Sequence, residues 1–116
     1  MKNKKFNNIV GRSAEERAVK YLKNNGYQIV KTNYKTKIGE IDIIGYDREI
    51  LAFIEVKFRG SDSFGLPREA VNAYKQNKIR QVATIFINQN NLYDKIPRFD
   101  VVEILGDEIT LIKGCF

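Results

Sequence analysis

Gly39-Glu40-Ile41-Asp42-Ile43-Ile44 and Ile54-Glu55-Val56-Lys57-Phe58-Arg59 are the two stretches that decide the fold. Each is short and rich in β-branched residues, and the polar turn Asp47-Arg48-Glu49 lies between them, so they read as adjacent strands of a hairpin. Side chains alternate along a strand. Glu40 and Asp42 are therefore expected on one face of the first strand, with Ile41 and Ile43 on the other. Glu55 and Lys57 share a face of the second, opposite Ile54, Val56 and Phe58. Pairing the strands brings Asp42, Glu55 and Lys57 to one end of a sheet. Carboxylates among aliphatic side chains are costly unless they are paired or bound to a metal. Two of them beside a lysine suit Mg²⁺ and a phosphate: hard oxygens hold the ion, and the ammonium meets negative charge. An E-x-K tripeptide alone is usually a solvated cross-strand charge pair; Asp42 on the neighbouring strand is what lifts this one above that reading.

The composition narrows the chemistry. The 116 residues make one domain with a single core. With 43% hydrophobic and 29% charged residues the chain reads as a soluble globular protein. No apolar run approaches the roughly 20 residues needed to span a bilayer. The basic start Met1-Lys2-Asn3-Lys4-Lys5 has no apolar signal core behind it, which points to the cytoplasm. Cys115 is the sole cysteine, which leaves no internal disulfide and no cysteine-rich zinc site. There is no histidine, so histidine bases, nucleophile–histidine pairs and the usual zinc or copper sites are excluded. Catalysis is left to Asp, Glu, Lys, Arg and Tyr with a hard metal. A formal charge of +6 favours a polyanionic partner.

Around the hairpin the elements follow local pattern. Residues 1–10 read as a flexible basic tail and 11–116 as a single domain. Ser13-Ala14-Glu15-Glu16 carries a capping box, so a helix is expected from there to about Asn25, stopped by Gly26. Its apolar stripe is Ala14, Ala18, Tyr21 and Leu22, bordered by Val19, which turns Glu15 inward and Glu16 to solvent. A first strand covers Tyr27–Tyr34. The turn-rich Gly60-Ser61-Asp62-Ser63-Phe64-Gly65 loop leads to Pro67, which suits the first turn of a second helix ending near Ile87. The stripe read for that helix is Val71, Tyr74, Ile79, Val82, Ile85 and Phe86, with Lys75 and Lys78 inside its angular range and able to reach along the sheet towards a phosphate. Strands over Arg98–Ile104 and Ile109–Lys113, joined by Gly106-Asp107, complete an α-β-β-β-α-β-β order and an α/β mixed sheet flanked by helices.

Five motifs occur in order and spacing: Gly11-x-x-Ala14-Glu15-x-x-Ala18, Gly39-Glu40-Ile41-Asp42, Phe53-Ile54-Glu55-Val56-Lys57-x-Arg59, Val71-x-x-x-Lys75 and Arg98-Phe99-Asp100-Val101-Val102. Over nearly the whole chain, from about residue 11, this set resembles the YraN-type bacterial proteins. These are small predicted endonucleases similar to archaeal Holliday-junction resolvases, within the PD-(D/E)xK restriction-endonuclease-like superfamily. The resemblance implies that fold. It also implies that Asp42 and Glu55 bind a divalent metal, Mg²⁺ or Mn²⁺, that Lys57 positions or activates the attacking water, and that Glu15 completes the acidic site from the first helix. Ile41 stands where the superfamily has its namesake proline, and Ala14 stands where a glycine usually precedes the helical glutamate.

The expected function is a metal-dependent endonuclease hydrolysing DNA phosphodiester bonds, with branched or otherwise structured DNA as the expected substrate and Arg59, Arg68, Lys75 and Lys78 as phosphate contacts. A homodimer is compatible with it, and no membrane is involved. The alternative on the same fold is a non-catalytic nucleic-acid-binding module or an interaction subunit, for which the acidic trio would be a structural charge cluster.

Overall fold

In a computed structural model, residues 2–59 and 71–116 are described, with side chains from residue 13 onward. The elements run α1 (Lys2–Asn24), β1 (Tyr27–Lys35), β2 (Glu40–Asp47), β3 (Ile50–Arg59), α2 (Ala73–Gln89), β4 (Ile96–Leu105) and β5 (Glu108–Ile112). The five strands form one sheet in the order β1-β2-β3-β4-β5. β1–β2, β2–β3 and β4–β5 are antiparallel, as short connections require. β3 and β4 are parallel, because the chain returns through α2 before β4 begins. The element order and mixed sheet are those expected, and they are compatible with a restriction-endonuclease-like fold.

The helices cover opposite faces. Ala14, Ala18 and Leu22 of α1 pack with Ile43, Ile54, Val102 and Ile104. Ile79, Val82, Ala83 and Phe86 of α2 pack with Ile41, Ile44, Phe53, Phe99 and Val101 on the other face. Burying each large aliphatic or aromatic side chain contributes about 1.5–3 kcal/mol, so the two-sided burial of β3 makes it the spine of the molecule. At Gly45 the neighbouring strand comes close: a Cβ there would meet the Gln28 carbonyl oxygen at 2.8 Å.

Four expectations are corrected. α1 begins at Lys2, not Ser13, and runs unbroken through the segment read as a tail, so Ser13 caps nothing and no capping box forms. Once the packed turns around Ala14, Ala18 and Leu22 exist, each further helical residue adds a hydrogen bond, and residues 2–12 hold no proline to stop it. α2 begins at Ala73, where the Asn72 side chain accepts a hydrogen bond from the Lys75 amide at 2.9 Å. Pro67 and the loop before it lie outside the described residues. Tyr74 is not in the core but 74% exposed. At about 100° per residue it falls well off the stripe set by Ile79, Val82 and Phe86, whereas Lys75, four residues before Ile79, stays on it. Finally, Ile41 and Ile43 pack on opposite faces, so strict alternation breaks at Asp42.

Away from the hairpin end, Asp100 on β4 is fully buried. It accepts hydrogen bonds from the Tyr27 hydroxyl at 2.9 Å, from Arg98 Nε at 2.8 Å and from the Gly114 amide at 2.9 Å. Arg98 also reaches Asp47 at 2.8 Å, where Lys113 adds a second cation at 2.9 Å. Burial, then the Asp100 charge, pushes the Tyr27 phenol up, while the hydrogen bonds from Arg98 and Lys113 hold Asp47 low. Asp100→Ala would strand a buried hydroxyl and a guanidinium. It is expected to cost about 3–5 kcal/mol in urea unfolding, and a loss below 1 kcal/mol would show the network to be dispensable.

Candidate active site

The β2–β3 ladder pairs Asp47 with Ile50 and continues to Ile43 with Ile54, where it ends. One residue further the Val56 amide donates instead to the Asp42 carboxylate, Oδ2 at 2.8 Å. The side chain has taken the place of a backbone carbonyl, and the strands part around it. Glu55, in this gap, is only 7% exposed. Its Oε1 lies 2.8 Å from the Lys75 ammonium, which α2 delivers from above the sheet.

The electrostatics follow from two carboxylates sharing a poorly hydrated space. Burial, followed by the charge of Glu55, pushes Asp42 up to about 7, against the Val56 hydrogen bond; Glu15 and Glu40 add smaller repulsions. Burial, then the hydrogen bond and charge of Lys75, lowers Lys57. Burial also acts to lower Lys75, but its hydrogen bonds to Glu55 and Lys57 outweigh that and hold it above the ordinary lysine range. Of the two lysines, Lys75 therefore keeps its proton more firmly, and Lys57 is the one readied to give its proton up or take one back.

Asp42 and Glu40 sit where two surface cavities meet. One is lined by Ile38, Glu55, Tyr74, Lys75 and Lys78. The other is lined by Glu15, Asn33, Val56 and Phe58. Glu15 is half-buried and Glu16 exposed, so the helical phase read from the stripe holds despite the different helix start. The structure thus brings Asp42, Glu55, Lys57 and Lys75 together, with Glu15 and Lys78 at the border. Arg59 lies apart, half-buried and paired with Glu103 at 2.9 Å across the parallel β3–β4 pair. Arg68 lies outside the described residues. Sequence reasoning left out Glu40, although alternation had placed it on the face of Asp42, and it left out the aromatic pair Tyr74 and Phe58. Asn72, a good N-cap residue, was the signal that would have moved the helix start and released Tyr74 from the core.

Among the described residues no group of three or more His, Cys, Asp or Glu side chains is arranged to hold a metal. Two carboxylates still suit Mg²⁺, which is commonly held by one or two of them together with substrate phosphates. Burial and, after it, the charge of Glu55 raise Asp42, and a divalent cation held by these carboxylates would offset both. Among the described residues no helix is long and apolar enough to cross a membrane.

The model of a family described as uncharacterised protein family UPF0102 matches residues 14–104, which include every element from the packed part of α1 to β4. A UPF0102 protein of Acetivibrio thermocellus is 44% identical, with 98% of this chain and 95% of the relative covered. One of Caldicellulosiruptor bescii is 46% identical over 92% of this chain and 96% of its own. A third, of Persephonella marina, is 36% identical over 96% of each.

Asp42 sets a pH dependence. Its folded value, about 7, lies above the ordinary 3.8, so the folded state holds the proton more tightly than the unfolded chain. Stability from this group is therefore full below about 4 and is lost as pH rises through about 7. In EDTA, Asp42→Asn keeps an acceptor for Val56 and removes the charge. It is expected to be more stable than wild type at pH 8, by on the order of 2–4 kcal/mol, with the gap closing towards pH 4. A gap independent of pH in urea titrations would contradict the raising of Asp42 by burial and by the charge of Glu55.

Proposed function

Since this chain belongs to the uncharacterised protein family UPF0102, the group its motifs identify as YraN-type, its activity has to be argued from the site itself, and we propose a metal-dependent endonuclease hydrolysing DNA phosphodiester bonds. The observation that carries this reading is the convergence of Asp42 and Glu55 at the point where β2 leaves β3, with two lysines beside them. Carboxylates at a basic surface repel a phosphate unless a cation intervenes. Asp42 and Glu55 would hold Mg²⁺ or Mn²⁺, which supplies Lewis-acid charge relief at the phosphoryl group.

The chain's own groups then have distinct tasks. Lys57, the amine with the weaker hold on its proton, accepts a proton from the attacking water or orients that water against the phosphorus. Lys75 pairs with Glu55 and positions it. With Glu55 holding such a metal, the Lys75 ammonium would be free to meet a non-bridging phosphate oxygen. Lys78, on the same cavity, offers a second cation to the strand. Glu15 approaches from α1 and adds negative charge beside Asp42. The net charge of +6 draws DNA, branched or otherwise structured DNA included, to this surface.

Two measurements test the reading. Mg²⁺ or Mn²⁺ should raise the melting temperature of the wild-type protein but not of Asp42→Ala or Glu55→Ala. With single-strand, duplex, flap and four-way-junction DNA, cleavage should fall by about 100-fold or more in Asp42→Ala, Glu55→Ala and Lys57→Ala. Equal cleavage by wild type and all three variants, or no cleavage by any, would overturn the enzyme. The adjacent glutamates give an internal control: Glu15→Gln should depress cleavage with little change in melting, while Glu16→Gln should alter neither. An inactive Glu16→Gln beside an active Glu15→Gln would remove α1 from the site.

A further inference from the structure

Two large side chains near the carboxylates stand in water where neither the core nor the chemistry above uses them. Tyr74 is 74% exposed, and Phe58 is 53% exposed. A single exposed ring is ordinary on a protein surface. What sets this pair apart is position: Tyr74 lines one of the cavities that meet at Asp42 and Glu40, and Phe58 lines the other. They flank the carboxylates, one on the α2 side of the sheet and one on the α1 side. Lys78 stands over the Tyr74 ring at 5.5 Å, in the same cavity as Lys75. That places a cation beside an aromatic ring that is largely open to solvent.

We propose that the site takes unpaired nucleotides: a base on one side of the reacting phosphate stacks on Tyr74, a base on the other side stacks on Phe58, and Lys78 pairs with the backbone between. This rests on the nuclease reading and adds the substrate class, a strand whose bases are open at the point of cleavage. The occupant follows from charge and shape together. An aromatic ring beside a lysine suits a base attached to a phosphate, and exposed rings interleaved with cations are how proteins hold single strands without reading their sequence. A continuous duplex keeps its bases stacked on one another and leaves the rings nothing to cover. An acidic peptide would meet the lysines, yet it brings no flat apolar face to either ring.

The test is binding, kept apart from hydrolysis by using Ca²⁺ in place of Mg²⁺. Fluorescein-labelled oligothymidylate, a matched duplex and a duplex with a single-stranded tail are titrated with wild type, Tyr74→Ala, Tyr74→Phe, Phe58→Ala and Phe58→Tyr, each checked for an unchanged melting temperature. The single strand and the tailed duplex should bind more tightly than the duplex. Each alanine variant should weaken single-strand binding about tenfold, as loss of one stacked base does, while the variants that keep a ring stay within about twofold of wild type. The salt dependence should be the same in the alanine variants, because stacking releases no counterions. Preferred binding of the blunt duplex, or alanine variants that bind the single strand like wild type, would overturn the inference and leave the nuclease reading standing. Ring-dependent single-strand binding without any Mg²⁺-dependent cleavage would overturn the nuclease and keep the strand-binding surface. No binding of any oligonucleotide would overturn both.

Discussion

The hydrogen bond from the Val56 amide to the Asp42 carboxylate is the constraint on which the rest of the site depends. It ends the β2–β3 ladder without leaving the Val56 donor unpaired, which a buried amide tolerates poorly. By ending the ladder it opens the gap in which Glu55 sits. It also holds one oxygen of Asp42 inward, so that the carboxylate stays close to Glu55 despite like charge. The protein keeps two poorly hydrated acids together where β2 leaves β3, and burial, then the charge of Glu55, raises Asp42 in consequence.

That pair is tolerable because the fold answers it from both sides. α2 lays Lys75 against Glu55, and β3 itself supplies Lys57 two residues on. The remaining cost is spread over a scaffold whose stability does not involve the site: two aliphatic layers across β3, and the Asp100–Arg98–Tyr27–Asp47 network away from the hairpin end. Stability concentrated in the layers and in that network leaves the carboxylate end able to hold groups that repel one another.

The separation of roles among the cations is equally physical. Arg59, three residues from Val56, is drawn into the sheet by Glu103 because parallel pairing sets β3 and β4 in a register that brings the two together. Lys75 and Lys78 lie on successive positions of the cavity wall, but only Lys75 reaches Glu55; Lys78 is left beside Tyr74. One lysine therefore tends the acid, and the other faces the ring and the solvent.

Much of this was legible in the chain, and the limit has a clear cause. The order of the elements, the hairpin that carries Asp42, Glu55 and Lys57, and the inward turn of Glu15 follow from periods of two and about 3.6 residues. Those periods are properties of neighbouring residues, so sequence alone determined them. The break in alternation at Asp42, the partners of Lys75 and Arg59 and the burial of Asp100 were decided only by tertiary structure. Each of these depends on strand register, on where a helix starts relative to a sheet, or on which side chains meet from distant parts of the chain. Local period carries no information on such meetings, because burial and pairing are settled when the layers close.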